Sequence, residues 1–237
     1  MGDPQPASTA TPPAPLPSAK GEGERRAAAL RRRRLVALAK AMIIALALGP
    51  LARIGSELAQ GRLGANPIAE AMNRLGWWSL VWLLLSLAMT PVQILTGMSW
   101  PIALRKTLGL VAFGYVLLHF SVYLGVDQFF DFTEIGRDIV KRKFITVGFL
   151  GFVLLIPLAI TSTSGWVKRL GARRWKRLHR LVYASALLGV VHFVWRVKSD
   201  LREPTIFAIV YAALMGIRLL RRRGPSDRTF AMRPRSR

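Results

Sequence analysis

Apolar residues along this chain fall into six long runs, at about residues 35–55, 75–95, 108–125, 144–161, 181–196 and 205–220, each bounded by charge or by Gly and Pro. Within a run the apolar positions are nearly continuous, not spaced as on an amphipathic surface helix, and this is the pattern of helices surrounded by lipid. A hydrocarbon core of about 30 Å takes about 20 residues at 1.5 Å each, so the shorter runs must include interfacial residues at their ends. The expectation is an all-α integral membrane protein with six transmembrane helices over residues 35–220. Residues 1–34 are rich in Pro, Ala and Ser and then strongly basic, and are expected to be a disordered tail. Residues 221–237 form a second basic tail.

The chain carries 35 Lys and Arg against 12 acids, a formal charge of +23. Such a charge could mark a nucleic-acid binder, but the bases cluster at the ends of the apolar runs: Arg25, Arg26, Arg31 to Arg34, Lys168 to Arg180 and Arg221 to Arg223. Placing these on the cytoplasmic side puts both termini inside. The outer loops, 56–74, 126–143 and 197–204, then carry Glu57, Glu70, Asp127, Asp131, Glu134, Asp138, Asp200 and Glu203. Lys141, Arg142 and Lys143 are the exception to this split. The absence of cysteine excludes disulfides, thiolate catalysis, iron–sulfur clusters and Cys-ligated zinc. No dinucleotide fingerprint or Walker lysine motif is present, so reducing equivalents would have to come from another protein or a lipid-soluble donor.

All three histidines belong to or adjoin the apolar runs. An ionisable group at that depth is a functional candidate because burying it is costly. His119 and His192 each lie 11 residues beyond the start of their runs at Leu108 and Leu181, about 16 to 17 Å from the cytoplasmic edge. Two neutral imidazoles at one level suit a haem ligated on both faces, a group that transfers electrons because no position on the iron stays open. Depth alone leaves a second reading, in which each histidine only bonds a neighbouring helix. Gly109, Gly114, Ala184, Ser185, Ala186 and Gly189 would leave room for a macrocycle or simply let helices approach. His179, at the inner interface beside Trp175, Lys176 and Arg177, lies about 20 Å from His192 along a helix, far enough for a second haem, a flavin or quinone contact, or headgroup anchoring. The position on the third helix that would mirror it is Lys106.

The stretches Ile160-Thr-Ser-Thr-Ser-Gly-Trp166, Arg173-Arg-Trp-Lys-Arg-Leu-His179 and His192-Phe-Val-Trp195 resemble the MsrQ (YedZ) family, haem-binding membrane subunits of the protein-methionine-sulfoxide reductase system. Arg105-Lys-Thr-Leu-Gly-Leu110 before His119, and Leu63-Gly-Ala-Asn-Pro67, also fit, while Lys141-Arg-Lys-Phe144 departs from the Arg-Pro-Tyr-like sequence expected there. The resemblance reaches the wider ferric reductase-like transmembrane proteins and covers about residues 61–223. It implies a six-helix haem-binding bundle in the bacterial inner membrane, with b-type haem held by His119 and His192 as axial iron ligands and His179 as a third cofactor histidine. It further implies one haem or two, an association with FMN, quinone as electron donor, and a periplasmic molybdopterin-containing methionine-sulfoxide reductase as the partner that receives electrons. The chain is then an electron-transfer subunit and not the catalytic one, and the acids from Asp127 to Asp138 are candidates for docking the partner. Two rivals stand beside this reading: a self-sufficient ferric or superoxide-generating transmembrane reductase, and a cofactor-free membrane scaffold or transporter.

Overall fold

The structure, a computed structural model, describes residues 19–197 and 199–222. The described elements are all helical: α1 (Ala19–Ala59), α2 (Pro67–Thr96), a 3-10 turn (Pro101–Leu104), α3 (Arg105–Val122), a π-helical turn (Tyr123–Asp127), α4 (Phe132–Lys141), α5 (Lys143–Ile160), α6 (Ser164–Leu178), α7 (Leu181–Arg196) and α8 (Arg202–Arg222). Five helical segments are long and apolar enough to cross a membrane, and a sixth joins them if α6 and α7, bent by 42° at their junction, are taken as one span. The run at 181–196 falls short because α7 has only 16 residues, about 24 Å of helix. Two of the expected loops contain helices of their own. The inner one is largely α6, interrupted at Gly171 where φ is +73°, and the outer one, 126–143, holds the end of the π-helical turn and α4.

The chain divides into two compact units, Met1–Leu38 and Ala39–Arg237. In the first, residues 19–34, expected to be without structure, belong to α1, in keeping with the strong helix propensity of Ala and Arg in Arg25-Arg-Ala-Ala-Ala-Leu-Arg31. Most of the remaining tail sequence, residues 1–18 and 223–237, lies outside the described residues.

In the second unit α2 packs along α3, and α5 along α7, as two helical pairs; α3 touches α5, and α8 lies against α2 and α7. Small residues set these contacts. Ala112 and Ala186 are fully buried, the Ser86 hydroxyl donates to the Arg105 carbonyl, and the Ser185 hydroxyl donates to the Gly151 carbonyl at 2.8 Å. A Cβ on Gly109 would stand 3.4 Å from the Ser86 oxygen, so this glycine serves the α2–α3 contact. Asn66 begins α2 by accepting from the Ala69 N–H ahead of Pro67, and Gly97 ends it in the left-handed region at φ 72°.

Pro91, inside α2, has no N–H to offer the carbonyl of Leu87 one turn earlier. The Arg218 guanidinium of α8 donates to that carbonyl, to the Tyr183 hydroxyl, and lies 5.0 Å from the Tyr183 ring centre. One buried arginine thus ties α8 to α2 and α7 while filling a vacancy that the proline creates. Arg218→Met is expected to cost about 1–3 kcal/mol, read as a lower thermal midpoint of the detergent-solubilised protein. Adding Pro91→Ala, which restores the N–H, should recover part of that loss, and a double variant no more stable than the single would contradict this role.

Candidate functional site

The structure brings His119 of α3 and His192 of α7 together, with ring centres 6.3 Å apart and planes at 79°. They share a cavity of about 340 Å³ between α2, α3, α5 and α7. A transition metal bonds an imidazole nitrogen at about 2.0–2.1 Å and the ring centre lies about 1.1 Å behind it, so two imidazoles on opposite faces of one metal have centres about 6.2–6.4 Å apart. The observed separation of 6.3 Å lies within that range.

Each ring is fixed in the same way. His119 Nδ1 is 2.8 Å from the Met72 carbonyl of α2, and His192 Nδ1 is 2.7 Å from the Phe144 carbonyl of α5. A carbonyl only accepts, so Nδ1 carries the proton in both rings and Nε2 keeps its lone pair. This is the arrangement of a metal-ligating histidine whose second nitrogen is bonded to backbone, which sets both tautomer and ring orientation.

The rings reach those carbonyls because a glycine follows four residues after each, Gly76 after Met72 and Gly148 after Phe144. A Cβ on Gly148 would stand 2.5 Å from His192 Nδ1, and one on Gly76 would stand 3.2 Å from His119 Nδ1. The sequence reading missed both glycines. Their signal is a lone glycine among bulky apolar residues inside a helix, Leu75-Gly-Trp77 and Val147-Gly-Phe149, which marks a close approach. Of the small residues it did single out, Ser185 and Gly189 line the cavity.

Among the described residues no group of three or more His, Cys, Asp or Glu side chains could hold a metal ion. A metal between these two rings would need further ligands from outside this set, as iron has them from a porphyrin. The cavity walls suit such a guest, being formed by Leu80, Leu83, Phe152 and Leu155 at one end, with the charged groups gathered at the other.

His179 lies outside this cavity. The Thr161 hydroxyl donates to the Pro157 carbonyl at 2.6 Å, so at 3.1 Å from His179 Nε2 it accepts, and Nε2 carries the proton. The Trp175 ring stacks on the imidazole at 3.9 Å, and its Nε1 donates to the Thr161 carbonyl. These contacts join α6 and the start of α7 to the end of α5. The outer acids also divide. Asp138 is only 5% exposed and pairs with Arg142, and Asp131 accepts from the Thr133 and Glu134 N–H groups as the cap of α4. Glu134 pairs with Arg137 at 3.2 Å and Asp127 accepts from the Gln128 side-chain amide at 2.9 Å, both within the same exposed segment.

Residues 75–190 match the family model described as "Ferric reductase like transmembrane component", a segment that includes His119 and stops just before His192. The chain is 52% identical over 171 residues to the protein-methionine-sulfoxide reductase heme-binding subunit MsrQ of Rhodospirillum rubrum, covering 72% of this chain and 82% of that one. Proteins of the same name are 49% identical over 182 residues in Herminiimonas arsenicoxydans (76% and 84% covered) and 51% identical over 166 residues in Caulobacter vibrioides (70% and 79% covered).

The cradle makes a graded forecast for titration of the detergent-solubilised protein with iron protoporphyrin. Gly148→Ala, which displaces the His192 ring and its bond to Phe144, is expected to weaken uptake more than about tenfold, since loss of an outer-shell partner alone costs about 10–100-fold. Gly76→Ala should cost less, and equal affinity across wild type and both variants would contradict the cradle.

Proposed function

The chain belongs to the MsrQ family of protein-methionine-sulfoxide reductase heme-binding subunits, and from that premise we propose that it holds a b-type haem between His119 and His192 and carries electrons across the bacterial inner membrane. The electrons come from the quinone pool and go to a periplasmic, molybdopterin-containing methionine-sulfoxide reductase. The observation that carries this reading is the pair of imidazoles 6.3 Å apart, each with Nδ1 held by a carbonyl.

A haem held by His119 and His192 would supply one-electron transfer, with both axial positions taken by the protein. What the chain contributes is placement. Met72 and Phe144 fix the tautomers, Gly76 and Gly148 admit the rings, and the aromatic side chains Phe120, Phe149 and Phe152 pack between α3 and α5 along the cavity wall. The reaction balances across the membrane: oxidation of a quinol yields two electrons and two protons, and reduction of a sulfoxide to a thioether and water takes up two of each. The basic residues of α6, Lys168 to Arg177, support a cytoplasmic position for that helix and both termini, in which the histidine pair would face the outer half. His179, the third cofactor histidine that the resemblance points to, would serve a separate site, where Nδ1 keeps the free lone pair while Nε2 is bonded to Thr161.

The test is a reduced-minus-oxidised absorption spectrum of purified protein beside His119→Ala and His192→Ala, followed by electron delivery in proteoliposomes. A b-type spectrum is expected in the wild type and lost in each variant. Quinol should reduce it, and the soluble reductase with a methionine-sulfoxide substrate should reoxidise it. A spectrum that survives either substitution, or that the reductase leaves reduced, would refute the assignment.

A further inference from the structure

The charged groups of the histidine cavity, Asp127, Arg142 and Arg196, are all at one end. Arg196 lies one turn beyond His192, about 6 Å along α7, and Tyr123 lies one turn beyond His119. Asn73 follows Met72, and Arg142 precedes Phe144 by two residues, so both stand at the same end as the carbonyls that hold the rings. Ser79 and Ser185, deeper in the cavity, donate their hydroxyls to the Gly76 and Gly151 carbonyls and present no cation to a guest.

Both arginines are held by a neighbour. Arg196 donates Nη1 to the Asn73 amide oxygen at 2.8 Å and lies 5.6 Å from the Phe193 ring centre. Arg142 pairs through Nε with the buried Asp138 carboxylate at 3.1 Å, and the Tyr123 hydroxyl donates to the same carboxylate. Each of these bonds engages one of the five N–H groups of a guanidinium. A flat guest lying between the two histidines would meet hydrocarbon at Leu80, Leu83 and Leu155, and two positioned guanidinium groups at the other end.

We infer that this end of the cavity is a dicarboxylate subsite, in which Arg142 and Arg196 receive the two propionates of the porphyrin while Asp138 and Asn73 act as positioning residues for them. The inference rests on the haem reading above and deepens it by fixing which edge of the macrocycle faces which end of the bundle. Guanidinium suits the task because it pairs with carboxylate through parallel N–H donors and stays charged where an ammonium would be poorly accommodated. Arg196 also lines the adjoining cleft with Glu70, Arg74 and Glu203, so the subsite opens toward the polar surface at that end of the helices.

The experiment titrates haem-free protein in detergent with iron protoporphyrin IX and, separately, with its dimethyl ester, which has the same macrocycle and no carboxylates. Wild type is expected to bind the diacid at least about tenfold more tightly than the ester, the scale of one charge-assisted hydrogen bond. Arg142→Gln and Arg196→Gln should each erode that preference and together remove it, with ester affinity unchanged; Arg196→Lys should keep part of it. If the double variant takes up neither porphyrin, the two single variants decide. A second readout is the midpoint potential, which should fall in each glutamine variant because removing a cation favours the oxidised iron. Equal affinity of wild type for diacid and ester, with a spectrum still lost in His119→Ala, would overturn the subsite and leave the haem reading standing. Failure of wild type to bind either porphyrin would overturn both.

Discussion

An imidazole N–H inside a lipid-surrounded bundle has no water to bond, and the acceptors nearest to it are carbonyls already engaged by their own helix. A carbonyl has a second lone pair, but in a helix of ordinary residues the side chain one turn later shields it. Gly76 and Gly148 remove that shield. Once Nδ1 of each ring is bonded to Met72 or Phe144, the tautomer, the ring plane and the position of the free Nε2 follow together. The remainder of the bundle serves to keep these two carbonyls and two rings at one level.

That service is duplicated. In one pair, α2 presents carbonyl and glycine to a histidine near the end of α3; in the other, α5 presents them to a histidine near the end of α7. The serine bonds are duplicated too, Ser86 to Arg105 and Ser185 to Gly151, though their direction differs: the first reaches from α2 to α3 and the second from α7 to α5. The pairs diverge at their ends. One turn past the histidine stands Tyr123 in the first pair and Arg196 in the second, and where α7 is preceded by His179, α3 has Lys106. The shared middle is one cavity between two equivalent walls, and the unlike ends give that cavity a direction.

Much of this was legible in the sequence, and the physical reasons divide cleanly. The helical class and the level of His119 and His192 follow from apolar run length and a fixed rise per residue, which no tertiary contact changes. The fall in span length at 181–196 was visible as a short run, but the bend between α6 and α7 falls at Leu178 to Leu181, beside the Thr161–His179–Trp175 contacts, which are tertiary. Gly76 and Gly148 were overlooked because a helical glycine in a membrane bundle is commonly a packing residue, as Gly109 is here, and only the facing ring distinguishes the cases. The same holds for the arginines: with so many basic residues, composition could not select Arg142 and Arg196, whereas the neighbours Asp138 and Asn73 do. Asp138, grouped from sequence with surface acids, is buried because Arg142 and Tyr123 supply its partners.

The measurement that bears most directly on the central claim is the electron paramagnetic resonance spectrum of the oxidised, detergent-solubilised protein at low temperature. Two imidazoles on one iron with planes 79° apart should give a low-spin signal of the strongly anisotropic kind that near-perpendicular ligand planes produce. A high-spin signal as the main species would contradict the proposed ligation by His119 and His192, and a rhombic low-spin signal typical of parallel planes would contradict the near-perpendicular setting of the two rings.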